Sequence, residues 1–207
     1  MRGSISTVPT NAADAWLLPD PYAGTRAQAR AVRQHRRLSG TAAATALTAA
    51  VLVGGWPDRS VTTLGAIVGA WLVGAGILHL AEAGLPDSSG AAPRTLSAVT
   101  GVLYLVAGVL ALRGMAASVE PLALGLGIVW LAGGLSTVVA ATCAQLGGWP
   151  MRGALATGTL LTAAGAALAF WPRIDLAVLA VIAAVALAGV GAIQASMAMR
   201  AARLPAC

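Results

Sequence analysis

The stretch from Trp56 to His79, WPDRSVTTLGAIVGAWLVGAGILH, returns from Trp171 to Gln194 as WPRIDLAVLAVIAAVALAGVGAIQ. At this constant offset of 115, Trp56-Pro57 falls on Trp171-Pro172, Leu64 on Leu179 and Ile67 on Ile182, and Gly74 and Gly76 fall on Gly189 and Gly191. A weaker copy lies between them, where Trp71-Leu72-Val73-Gly74 is echoed by Trp130-Leu131-Ala132-Gly133 at an offset of 59. Its corner has changed to Arg113-Gly114-Met115, with Glu120-Pro121 following. A chain that writes one unit three times must fold by stacking that unit, so the repeat constrains the architecture before any local reading does. Each unit holds two apolar segments around a polar corner. A helix needs about 20 apolar residues to cross the hydrocarbon of a bilayer, so a two-helix hairpin with its turns occupies about 50–60. The offset of 115 is two such periods.

The expectation is an all-α integral membrane protein, six transmembrane helices in three tandem hairpins over residues 39–84, 95–144 and 152–200. The apolar runs place the helices at 41–56, 61–83, 96–112, 121–144, 153–170 and 176–199. Composition agrees: 58% of residues are hydrophobic and 10% charged, against about 45–50% and about 25% in soluble domains. The chain has 25 glycines and one phenylalanine, which suits helices that approach closely in lipid. Gly65 and Gly69 are spaced i, i+4, while Gly101 and Gly108 in one helix match Gly158 and Gly165 in another. Two cysteines, Cys143 and Cys207, fit neither a disulfide framework nor a metal-ligand spacing.

Charge lies outside the apolar runs. Residues 1–38 form a tail that ends in Arg26, Arg30, Arg33, Arg36 and Arg37, the first three at helical spacing. A short basic helix on anionic lipid headgroups is expected, each arginine attracting the surface by about 1 kcal/mol. Positive-inside anchoring accounts for the same cluster. Nucleic acid is not an expected partner, because no stacking aromatics interleave with the arginines. Ten arginines fall on the side of the termini and three (Arg59, Arg113 and Arg173) on the other. Arginine asymmetry sets orientation, so the N-terminus and the 201–207 tail are both expected in the cytoplasm, with Trp56 and Trp171 at the opposite membrane boundary.

Polar residues inside spans are functional candidates by default. His79, Thr137 and Gln194 stand near the inner ends of the even-numbered helices, and Glu82 follows His79 by three residues. Histidine titrates near neutrality, and Glu82 is placed to pair with it. The same residues also read as a hydrogen-bonded packing layer near the headgroups. Each outer corner carries both signs: Asp58 with Arg59, Arg113 with Glu120, Arg173 with Asp175. Below about pH 4 carboxylates protonate, which would leave arginines uncompensated on that face. Ordinary helix-end charge explains these pairs as well, since exposed pairs contribute about 0–1 kcal/mol. No HExxH, GxSxG or phosphate-loop pattern is present, so neither an enzyme nor a bound cofactor or metal is expected.

The Trp-Pro corners, the paired glycines at 101/108 and 158/165, and Leu72-Val73-Gly74-Ala75-Gly76-Ile77-Leu78 together resemble the HdeD-like acid-resistance membrane proteins over residues 41–200. The middle unit departs from that pattern at Arg113-Gly114, and the arginine-rich tail is an addition to it. The resemblance implies a bacterial inner-membrane protein linked to acid survival, with no established molecular activity. Two functions follow as expectations. One is a structural or interaction protein whose partner is a membrane protein or a second copy of the chain. The other is a small transporter or channel component using the bundle interior.

Overall fold

The computed structural model describes residues 23–55, 60–84, 91–114, 118–143, 148–171 and 174–202, without the side chains of 23–33, 35, 36, 148–150, 201 and 202. These residues form six helices and no strand: α1 (Ala23–Gly55), α2 (Val61–Ala83), α3 (Ala91–Leu112), α4 (Val119–Cys143), α5 (Gly148–Phe170) and α6 (Leu176–Ala202). Each contains a segment long and apolar enough to cross a membrane. The expected six-span all-α architecture stands.

Three helix starts differ from the sequence expectation. Helix α1 begins at Ala23 rather than near Thr41 and is 33 residues long. The arginine segment is therefore its N-terminal part and not a separate short helix. Alanine, glutamine and arginine are strong helix formers, and no proline interrupts Ala23–Gly55. Helices α3 and α5 start about a turn early, because Pro93 and Pro150 sit in their first turns, where a missing N–H costs nothing.

The most extensive contacts run between successive hairpins rather than within them: α2 with α3, α4 with α5, and α6 with α1. The first two pairs are zipped by glycines two turns apart. A Cβ added at Gly69 would lie 3.0 Å from the Gly108 carbonyl, and one at Gly76 would lie 2.8 Å from the Gly101 carbonyl. In the same way Gly127 faces Gly165 at 2.9 Å and Gly134 faces Gly158. The third pair repeats the scheme with two larger residues: Gly191 faces Leu47, and Gly54 faces Ala184 across 3.8 Å. Small residues allow this approach of backbones, where van der Waals contact replaces hydrophobic driving force.

These facing pairs fix the register of the three units. On the even helices Gly69, Gly127 and Ala184 are equivalent, as are Gly76, Gly134 and Gly191. The middle unit is thus offset by 58 from the first, one residue less than the tryptophans suggest: Trp130 is the counterpart of Leu72, not of Trp71. The register puts matching buried residues of α2, α4 and α6 into one hydrophobic core, Leu64/Leu122/Leu179, Val68/Leu126/Ala183 and Leu72/Trp130/Leu187. Helices α1, α3 and α5 lie outside. Their lipid-side residues, such as Val102, Val106 and Leu110 on α3, are exposed.

Helix starts on the even helices are equivalent too. Ser60 caps α2, its Oγ accepting from the Thr63 N–H at 3.0 Å. Asp175, its counterpart before α6, accepts from the Val178 N–H through Oδ1 at 2.7 Å. Both satisfy a helix-end donor that would otherwise go unpaired.

A candidate polar site between α2, α3 and α4

In the glycine register His79, Thr137 and Gln194 are equivalent positions, one near the C-terminal end of each inner helix. They do not hydrogen-bond to one another. Thr137 Oγ1 donates to the Gly133 carbonyl of its own helix at 2.8 Å, and Gln194 is half-buried with no side-chain hydrogen bond among the described residues.

His79 is different. Its Nδ1 lies 3.5 Å from Glu82 Oε2, one turn on along α2. Ser97 of α3 donates its hydroxyl to the His79 carbonyl at 3.0 Å and stands 3.4 Å from the same Nδ1. The His79 ring meets Tyr104 edge-on at 5.6 Å. Tyr104 in turn touches Trp71 at 6.2 Å, and Trp71 meets Trp130 in a T-shape at 6.2 Å. The Tyr104 hydroxyl is pressed against Gly133 of α4, where a side chain of any size would collide with the ring. Beside it Thr100 Oγ1 and Ser136 Oγ lie 2.6 Å apart, and Ser136 donates to the Gly133 carbonyl at 2.9 Å. At the membrane-surface end Arg94 Nε donates to the Ala83 carbonyl at 3.2 Å and so closes the end of α2.

The result is a polar strip on α3, Arg94, Ser97, Thr100 and Tyr104, lying in the groove between α2 and α4. It spans 10 residues of helix, about 15 Å, or half the hydrocarbon thickness. Only this groove carries it in full. The counterparts of Ser97 and Tyr104 are Ala154 and Leu161 on α5, and Ala43 and Ala50 on α1. Thr100 is matched by Thr157, whose buried Oγ1, like the buried Nε1 of Trp130, has no hydrogen-bond partner among the described residues. Sequence reading found His79 and Glu82 but missed their α3 partners. The signal was present: residues 94, 97, 101, 104 and 108 recur at helical spacing, polar side chains and glycines sharing one face of α3.

The strip does not form a catalytic relay. A hydroxyl–imidazole–carboxylate triad needs its outer members on opposite ring nitrogens, whereas Ser97 and Glu82 both approach Nδ1. Among the described residues no group of three or more His, Cys, Asp or Glu is placed to hold a metal.

Of the outer corners, Asp58, Arg59 and Arg173 lie outside the described residues, as do the side chains of Arg26, Arg30, Arg33 and Arg36. Arg37 is exposed. Glu120 is exposed in the first turn of α4, and no ion pair joins it to Arg113, since the ion pair present among the described residues is His79–Glu82. Asp175 acts as the α6 cap described above. A crevice of about 10 Å³ where α1, α2 and α6 converge, lined by Ser60, Thr63 and apolar neighbours, has room for one water at most.

Fold and site together define a multi-pass helical membrane protein with a solid, internally repeated core. Residues 41–113, from the apolar part of α1 through α3, match the model of a family described as a short repeat of unknown function (DUF308). The match covers about a third of the chain. No curated protein and no solved structure matches it.

Proposed function

We propose that this is a non-enzymatic protein of the bacterial inner membrane, HdeD-like, that supports acid or envelope stress tolerance as a structural or interaction element. Both termini then lie in the cytoplasm, on the side that holds ten of the thirteen arginines. The observation that carries the reading is the apolar core shared by α2, α4 and α6. Leu64, Leu122, Leu179, Leu72, Trp130 and Leu187 are all buried in one hydrophobic cluster, which offers no polar lining to a conducted solute. A bundle this tight suits a part that holds a shape or presents a face to a partner. The test has two arms. Purified protein in liposomes should leave proton and small-solute leakage at the level of empty vesicles. Affinity purification from mild detergent at pH 7 and pH 4 should recover a membrane protein whose yield depends on pH. Leakage that needs the folded bundle would replace this reading with the transporter one.

A further inference from the structure

We infer that α1 is a docking face for one kind of partner: a membrane-spanning helix that continues out of the bilayer as an acidic helix. The inference rests on the interaction reading above and names the partner's chemistry. Arg26, Arg30, Arg33 and Arg37 precede the span at intervals of four, three and four residues. Gly40, Ala44, Thr48, Val51 and Gly55 carry the same series on through it. At 3.6 residues per turn all these positions fall within a sector of about 80°, and the helix that bears them is continuous from Ala23 to Gly55. One face therefore runs for about 44 Å, its basic part before the span and its small, apolar part within it.

Among the described residues nothing covers this face. The opposite side of α1, with Ala46, Ala49, Ala50 and Val53, is buried in the core. Arg37, Ala44, Thr48, Val51 and Gly55 are exposed, and a Cβ added at Gly40 or Gly55 would meet nothing within 4 Å. Small residues let a second helix approach closely in lipid, but smallness alone does not single out α1. The exposed face of α5 holds Ala156, Thr159 and Ala163. What α5 lacks is the continuation: it starts at Gly148, and its face ends in a single arginine, Arg152.

Charge selects the occupant. Ala23–Gly55 contains no Asp or Glu, so α1 itself offers its arginines no counter-charge. Lipid headgroups answer only part of the row. Arg26 precedes Arg37 by eleven residues, about 16 Å along the helix, whereas the headgroup layer is about 5–8 Å deep. A second copy of the chain does not fit. Copies in one membrane share an orientation, so two α1 helices would lie parallel and set one row of arginines beside the other, and juxtaposed like charges suppress association. A helix laid along the small face leaves the membrane beside this row. Carboxylates at the same spacing suit it, because arginine and carboxylate form charge-assisted bonds.

Photocrosslinking in the cells that make the protein tests this. A photoreactive residue replaces Ala44 in the span, Gln34 on the extension or, as a control, the exposed Val106 of α3. Positions 44 and 34 should give an adduct of the same mass that position 106 does not. Peptide mapping should place the first in a transmembrane span of a different chain and the second in a helix that follows it with a row of carboxylates. Arg30→Gln combined with Arg33→Gln lies outside the span and should leave protein level and melting temperature unchanged. It should lower the adduct yield from position 44 by about fivefold or more. Adducts to lipid alone, an adduct to a second copy, or a yield indifferent to the two arginines would each overturn the inference. A partner that crosslinks from position 106 instead would also overturn it while leaving the interaction reading in place. Leakage in the liposome test would remove that reading itself.

Discussion

At the scale of single residues, the glycines of the zipped pairs and the caps of the inner helices do the most with the fewest atoms. Gly108 is one of the four glycines, in two facing pairs, that set the α2–α3 distance. A Cβ there would lie 2.8 Å from both the Gly69 carbonyl and Val73 Cγ2. Gly108→Leu should therefore separate the helices and destabilise the protein by about 1–3 kcal/mol or more, as overpacking does. Thermal melting in detergent reads this directly. Gly125→Leu serves as the control, since nothing lies within 4 Å of that position, and it should melt with the parent. Asp175 offers a second test. As a cap, Asp175→Ala should cost about 0.5–2 kcal/mol while Asp175→Asn should cost little. An acid-sensing role of the carboxylate charge demands the opposite: Asn at pH 7 should then resemble the parent at pH 4.

At the scale of elements, the six helices were plain in the sequence and their partners were not. Length and hydropathy place a helix because a bilayer imposes both, and the repeat says that the partners recur. Which faces meet is decided by pairs of small residues on two different helices. The i, i+7 glycines of α3 and α5 were visible, but their complements Gly69/Gly76 and Gly127/Gly134 became pairs only once the antiparallel register was known. The same register moved the middle repeat from an offset of 59 to 58, because Trp130 takes the buried core place of Leu72 while Trp71 packs beside it against Tyr104. The polar strip was half legible for a related reason. His79 and Glu82 lie close in sequence, whereas Ser97 and Tyr104 reach His79 only across the α2–α3 contact. Tyr104→Ala should show what that contact is worth. Emptying a buried aromatic site typically costs about 3–5 kcal/mol, and the loss should appear together with a change in emission from Trp71. Leu161→Ala, the counterpart on α5, should lower stability without that spectral change.

At the scale of the whole molecule, the proposed topology is open to direct measurement. Reporter fusions at Ser88 and Cys207 should read cytoplasmic and one at Ser118 external; an external C-terminus would reverse the assignment. The ring of helix pairs adds a requirement on how the protein is made. Two of the pairs, α2–α3 and α4–α5, consist of neighbours in the chain and can close as soon as both members have been synthesised. The third joins α1 to α6, and its facing residues, Leu47 and Gly54 against Ala184 and Gly191, meet only after α6 has been synthesised. During that interval the buried face of α1, from Ala43 to Val53, has lipid or a chaperone for company instead of α6. A ribosome stalled before α6 should leave α1 open to crosslinking by the insertion machinery, and release of the last helix should end it. The buried face that α1 offers is answered only by α6, five helices later.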